Sequence, residues 1–220
     1  MRIGVVIPTL DEAATIGATL ATVAGLPVIV ADGGSRDATR EIAQAAGARV
    51  IFVAGGRGAQ QNAGAAALGD VDAFVFLHAD TRLPDGWREE VERLLKAGAG
   101  LGAFRLSIGD AKTGEAVVAT AANARSRLLA LPYGDQALFL TQTAFRALGG
   151  FRPLPIMEDY DLVRRARRIG PVMLSPLAVR TSPRRWRRRG VFRTTLINQL
   201  ILLGWALGIA PERLARLYRR

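Results

Sequence analysis

The sequence predicts an α/β fold, a doubly wound mixed sheet flanked by helices, and three observations carry that prediction. Apolar and β-branched runs at 3–7, 28–31 and 74–77 each end in a short polar motif. Unbroken runs of this kind are strands buried on both faces, as parallel strands between helices are. Helically spaced apolar residues separate the runs, which gives the strand and helix alternation of such folds. The motifs Pro8-Thr9-Leu10-Asp11-Glu12, Asp32-Gly33-Gly34-Ser35 and His78-Ala79-Asp80-Thr81 then fall at carboxyl ends of strands, where open α/β sheets bind ligands.

The first strand, 3–7, is closed by Pro8. A helix over 15–24 follows, and Gly25-Leu26-Pro27 stops it before the strand at 28–30. The next helix opens near Ser35 or Asp37, either of which can cap it, and ends at 46 before Gly47. A short strand at 49–53 leads through Gly55-Gly56-Arg57-Gly58 into an alanine-rich helix over 60–68 and a strand at 73–77. Pro84-Asp85-Gly86-Trp87 introduces a helix to 96, and the alternation over 102–108 predicts an exposed or edge strand. A helix over 113–131, a loop at 133–136, a strand at 137–140 and a short helix at 143–148 follow, the last stopped by Gly149-Gly150. Residues 157–169 predict a helix with Glu158, Asp159 and Asp161 at its start and four arginines at its end, the charge order a helix dipole favours.

With 220 residues, half of them hydrophobic, the chain can bury one sizeable core. It has no cysteine, which excludes disulfides and thiolate metal sites and fits a reducing cytoplasm. The first apolar run belongs to a strand, so no secretion signal is expected. Charge is one-sided: residues 1–150 hold 14 Lys+Arg and 15 acids, residues 151–220 hold 16 Arg and 4 acids. Such a basic segment suits pyrophosphate, anionic lipid or nucleic acid. Aromatics are too few and too little interleaved with arginine to favour nucleic acid. The apolar stretch 196–210 is interrupted by Asn198 and Gln199 and falls short of the ~20 residues that span a bilayer. Between Arg-rich flanks it suits the inner face of an anionic membrane, a homodimer interface, or its own core.

Three carboxylate-bearing loops at one crevice suggest a nucleotide and a divalent cation. Asp80, ending a buried strand, is an oxygen ligand suited to Mn²⁺ or Mg²⁺. With Glu158-Asp159 added, the ordered motifs resemble family 2 nucleotide-sugar glycosyltransferases of the GT-A fold. These show a Pro-Thr/Ser strand end followed by an acid, a second strand ending Asp-Asp/Gly-Gly/Ser-Ser, an Asp-x-Asp motif and a later Glu-Asp pair. The wording Phe-Leu-His-Ala-Asp-Thr and Gly-Gly-Phe-Arg is most similar to a small bacterial group, the selenodomain-associated transferases 2.

The resemblance implies one GT-A-like domain over 1–180, with a nucleotide-sugar half at 1–100 and an acceptor half at 101–180, followed by a basic and apolar helical appendage at 181–220. Pro8, Thr9 and Asp11 or Glu12 would cradle the nucleotide, Asp32 would read the base, and Arg57 would approach the donor as a bidentate fork. Asp159, with Glu158 in reserve, would be the base that frees an acceptor hydroxyl, which implies inversion. Asp135, Gln136, Gly150 and Phe151 would shape the acceptor side. A lipid-linked acceptor fits the C-terminal segment, and a family leaning favours UDP-sugars.

Two departures stand out. His78 occupies the place of the first acid of Asp-x-Asp and offers an imidazole to metal or donor instead of a carboxylate. Ser182-Pro183-Arg184-Arg185-Trp186 is similar to the Gln-x-x-Arg-Trp motif of processive members, in which Arg185 and Trp186 would meet the diphosphate, but Ser182 replaces the glutamine. Processive synthesis is therefore not expected. A sugar nucleotidyltransferase is the rival enzyme, although it opens with a glycine-rich loop where this chain has Pro8-Thr9-Leu10-Asp11-Glu12. A non-enzymatic membrane-binding module leaves the strand-end carboxylates without a purpose.

Overall fold

The computed structural model describes residues 1–219, with the side chains of Arg185 and Arg219 left aside. Its centre is one mixed sheet of eight strands. β1 (Ile3–Thr9), β2 (Val28–Asp32), β3 (Arg49–Phe52) and β4 (Ala73–Phe76) are parallel, with β1 between β2 and β4. β7 (Leu138–Thr141) runs antiparallel beside β4, and β6 (Leu101–Ile108), β8 (Val172–Thr181) and β5 (Thr81–Arg82) extend the sheet beyond it.

The period-two alternation of strands sorts the core into two layers. Val5, Ile7, Val75, Phe104 and Phe139 pack on one face, against α1 (Ile16–Ala21), α2 (Thr39–Ala45), α4 (Trp87–Lys96) and α5 (Thr113–Leu129). Val6, Phe74, Phe76, Leu138 and Leu140 pack on the other, against α3 (Arg57–Leu68), α6 (Gln142–Ala147) and α7 (Glu158–Ala166). Gly64 of α3 makes this approach possible, since a Cβ there would lie 2.3 Å from Val6 Cγ1.

The structure corrects two expectations about strands. β6 is interior, between β7 and β8, and not an edge. Its apparent alternation comes from Arg105 and Ser107 alone; residues 101–104 are buried throughout. β8 was not foreseen. Its run is broken by Ser175 and by the exposed Pro176, beside a register shift in the pairing with β6 between Ala103 and Arg105. Proline lacks the ladder donor and is tolerated at such irregularities.

The basic segment forms α8 (Arg184–Arg189), and the apolar segment begins earlier than expected, as α9 (Val191–Ala206), followed by α10 (Pro211–Arg219). Ile201 of α9 and Leu214 and Ala215 of α10 bury against Ile156 and Met157, just before α7. The two helices thus dock on the chain's own core. No helix among the described residues is long and apolar enough to cross a membrane.

Candidate functional site

Register brings the first two motifs together, because Thr9 pairs with Asp32 at the ends of β1 and β2. Pro8 is buried within β1. The Thr9 hydroxyl donates to Asp32 Oδ2 at 2.9 Å, while the backbone N–H groups of Gly34 and Ser35 donate to Oδ1 at 3.0 and 2.8 Å. The Ser35 hydroxyl donates to Oδ2 as well. Burial pushes the Asp32 carboxyl up, but the bonds from Ser35, Thr9 and Gly34 together outweigh it and hold the group below its ordinary value. Asp32, expected to read a base, is thus wholly buried, with both oxygens engaged in organising the loop that follows β2.

The same loop is sewn to the one after β1. Asp11, in a left-handed conformation with φ 55°, donates its N–H to Ser35 Oγ at 2.9 Å and accepts from the Arg36 N–H at 2.8 Å. The Glu12 N–H donates to Thr39 Oγ1 at 2.8 Å. From α3, Gln60 Nε2 donates to the carbonyls of both Thr9 and Ala31 at 2.8 Å, tying the strand ends together. Gln60 was not foreseen, since a glutamine in an alanine-rich helix carries no motif.

Asp80 follows β4 and completes a charged corner. Burial raises its carboxyl pKa, the negative charge of Glu12 raises it further, and Arg184 acts in the opposite sense. Arg184 donates to Glu12 Oε2, a bond that raises the guanidinium pKa, and the Ser182 N–H donates to the Asp80 carbonyl at 3.0 Å. Asp80, with Glu12 that Arg184 already engages, would be the oxygen donor this corner offers a hard cation. Mn²⁺ or Mg²⁺ takes one or two carboxylates and completes its shell with water and phosphate oxygens. The residues therefore fit such an ion, although no group of three acidic, histidine or cysteine side chains gathers among the described residues.

The Trp186 ring is buried against Ile108 and Ala119 in a small core of its own, with its indole N–H unpartnered among the described residues. The side chain of Arg185 lies outside the described residues.

A second charged group is built by α7, which opens after Met157 in a left-handed conformation. Glu158 is 2 % exposed and pairs with Arg57, the first residue of α3. Burial alone would lower the Arg57 pKa, but the charges of Glu158 and Asp159 hold it well above its ordinary value. Glu158 is thereby committed to Arg57. Asp159 is half-buried; its Oδ2 accepts from the Gly134 N–H and its Oδ1 from the Tyr160 N–H, both at 2.7 Å. A Cβ on Gly134 would lie 2.9 Å from His78 Nε2 and 3.0 Å from Asp159 Oδ2. His78 therefore stands near Gly134 and Asp159, while Asp80, two residues on, interacts with Glu12 and Arg184.

The expected acceptor-side residues divide. Gln136 is wholly buried, with its amide accepting from Ser126 Oγ at 2.7 Å and donating to the Phe104 carbonyl at 2.8 Å. Phe151 packs edge-on against Phe76 at 4.8 Å in the core. Both side chains lie inside the core. Asp135 stays half-buried beside Gly134, and Gly150 forms the turn above. Asn62 clamps that turn, donating to the Phe151 carbonyl at 2.8 Å and accepting its N–H at 2.9 Å. Arg165 holds it from below, donating to the Leu148 and Gly150 carbonyls and pairing with Asp161 at 2.7 Å. Tyr133 sits beneath Arg125, whose guanidinium lies 3.5 Å from its ring centre. Burial is the main cause that pushes its phenol up to about 12.

The sequence model described as Glycosyl transferase family 2 matches residues 4–151. A comparison with curated proteins found no match. Among solved structures, residues 1–349 of S. aureus TarS align with a TM-score of 0.66 at 14% identity, over 99% of this chain and 70% of that one. The mannosyltransferase PcManGT from Pyrobaculum calidifontis, in complex with GDP-Man and Mn²⁺, aligns with a TM-score of 0.67 at 19% identity, over 99% and 68%. Glucosyl-3-phosphoglycerate synthase from Mycobacterium tuberculosis, with Mn²⁺, UDP and glucosyl-3-phosphoglycerate, aligns with a TM-score of 0.57 at 20% identity, over 90% and 78%. These likenesses establish the GT-A fold, and the family match spans most of the sequence. The chain belongs to glycosyl transferase family 2 and is a glycosyltransferase.

Proposed function

We propose that this glycosyltransferase moves a sugar from a nucleoside-diphosphate sugar, with UDP-sugars favoured, to a hydroxyl acceptor with inversion and with the help of a divalent metal. Among family members it reads as one of the selenodomain-associated transferase 2 group. The observation that carries the reading is that the motif after β4 touches two charged groups: His78 stands beside Gly134 and Asp159, and Asp80 interacts with Glu12 and Arg184, while Glu158 is already paired.

In this reading the sewn loops at 8–12 and 32–36 cradle the nucleotide, and Asp32 acts through the loop it holds. Asp80, with Glu12 beside it, would hold Mn²⁺ or Mg²⁺, which when bound offsets the charge of the diphosphate. Arg184 would lend positive charge beside Asp80, and Arg57 would do so beside Glu158 and Asp159. Asp159 Oδ2 takes the proton of the acceptor hydroxyl as its oxygen attacks the anomeric carbon. The bond from that carbon to the diphosphate oxygen breaks on the far side, and the diphosphate leaves with the electron pair. The Gly134 N–H holds the Asp159 carboxylate in place and so pre-positions the base. The complexes of PcManGT with GDP-Man and Mn²⁺ and of the mycobacterial synthase with UDP and Mn²⁺ support the donor class and the metal by likeness of fold.

Calorimetry of UDP and GDP with and without Mn²⁺ tests the reading. UDP should bind in the presence of metal, bind far more weakly with chelator, and lose the metal-dependent part in Asp80→Ala. Equal affinity in all three conditions would remove the metal assignment, and no nucleotide binding at all would remove the donor.

A further inference from the structure

We propose that the outer face of α9 docks on an anionic bilayer. Phe192, Leu196, Leu200, Leu203 and Leu207 are all exposed, Phe192 at 81% and Leu207 at 71%. Their spacing of three and four residues confines them to an arc of about 80° on a helix of 3.6 residues per turn. The opposite face is already committed. Ile201 is buried against the core, and Gly204 lets α10 approach so closely that a Cβ there would lie 2.7 Å from Leu214 Cδ2. The stripe is therefore surplus to the fold.

Charge decides what covers it. Residues 181–220 contain ten arginines and one acid, Glu212, and so hold most of the net charge of +11. Arg188, Arg193, Arg213 and Arg216 are exposed on the elements that carry or flank the stripe. A second copy of the chain would press like charges together around the contact. Nucleic acid would take the arginines and leave the leucines in water. An anionic bilayer satisfies both, with leucine and phenylalanine entering the acyl boundary and guanidinium groups meeting headgroup phosphates. At 16 residues α9 is too short to span, so it lies in the plane of the interface.

Co-sedimentation of the full chain with vesicles, without nucleotide, reads this attachment independently of the proposed chemistry. The chain should pellet with phosphatidylglycerol-containing vesicles, remain in solution with phosphatidylcholine alone, and be released as salt shortens the screening length. Leu200→Asp with Leu203→Asp should lower the bound fraction about tenfold or more with the fold retained, because both side chains lie on the exposed face of α9. Should that variant fail to fold, Arg188→Gln with Arg193→Gln and Arg213→Gln should reduce binding to the anionic vesicles alone. Equal recovery on both vesicle types, recovery on neither, or a solution dimer that the leucine variant splits would overturn the proposal. Nucleotide calorimetry stays unaffected by any of these results, so the two readings fail separately.

Discussion

Gly134 and Asp159 are joined by a 2.7 Å hydrogen bond from the glycine N–H to the carboxylate Oδ2, across 25 residues of sequence. The absence of a side chain at 134 is what allows it, because His78 and Asp159 both occupy the space a Cβ would need. The proposed base is thus placed by a backbone group on a different loop.

Gly134→Ala should therefore displace Asp159 or His78 by a few tenths of an ångström and lower kcat by roughly 10–100-fold. Nucleotide affinity, measured by calorimetry on the same preparation, should stay within about twofold, since among the described residues Gly134 makes no hydrogen bond to the loops proposed to hold the donor. A parallel loss of nucleotide binding would mean that Gly134 serves the donor.

Asp159→Asn keeps the size of the side chain and an acceptor for Gly134 while removing basicity. Turnover should fall by ~10²–10⁴-fold, with donor binding little changed. Near wild-type transfer by this variant would move the role of base to Asp135.

The Arg57 and Glu158 pair predicts a non-additive pattern. Arg57→Ala leaves a 2% exposed carboxylate without its cation, which should cost on the order of 2–3 kcal/mol, discounted from a fully buried pair because Arg57 is partly open to water. Adding Glu158→Gln should recover part of that loss, because the amide carries no charge to be left unpaired. Urea unfolding of the two single variants and the double variant supplies the cycle.

Tyr133 predicts the alkaline behaviour of stability. Its phenol titrates near 12 in the fold, against an ordinary value of 10, so the folded state binds the proton more tightly than the unfolded one. That contribution is complete below pH 10 and declines as pH rises toward 12, by on the order of 2 kcal/mol in all. The hydroxyl has no hydrogen-bond partner among the described residues, so Tyr133→Phe should be close to neutral at pH 7 and should flatten the decline. Urea midpoints between pH 8 and pH 11 decide it.

The fold was legible where structure is local. The β1, β2 and β4 runs and the motifs that end them are contiguous in sequence, and apolar continuity is enough to mark a strand with both faces covered. β8 was not legible because Pro176 and Ser175 break its run and its partner β6 meets it through a register shift. The site divides in the same way. Asp80 and Asp159 could be singled out by type and position, but the bonds that give them surroundings join Glu12 to Arg184 across 172 residues and Arg57 to Glu158 across 101. No spacing rule reaches that far. Asp32 shows a further limit: its place at a strand end was readable, whereas its direction depends on four donors that only the folded loops bring together.

The seat formed by Ile156 and Met157 has a consequence for how the molecule is made. Both residues leave the ribosome well before Ile201, Leu214 and Ala215, which bury them. During synthesis, at roughly 5–20 residues per second, the start of α7 is an apolar surface open to water. The turn that opens α7 is therefore sheltered only once α9 and α10 have emerged, and a nascent chain paused between α7 and α9 presents a sticky patch to other chains or to chaperones.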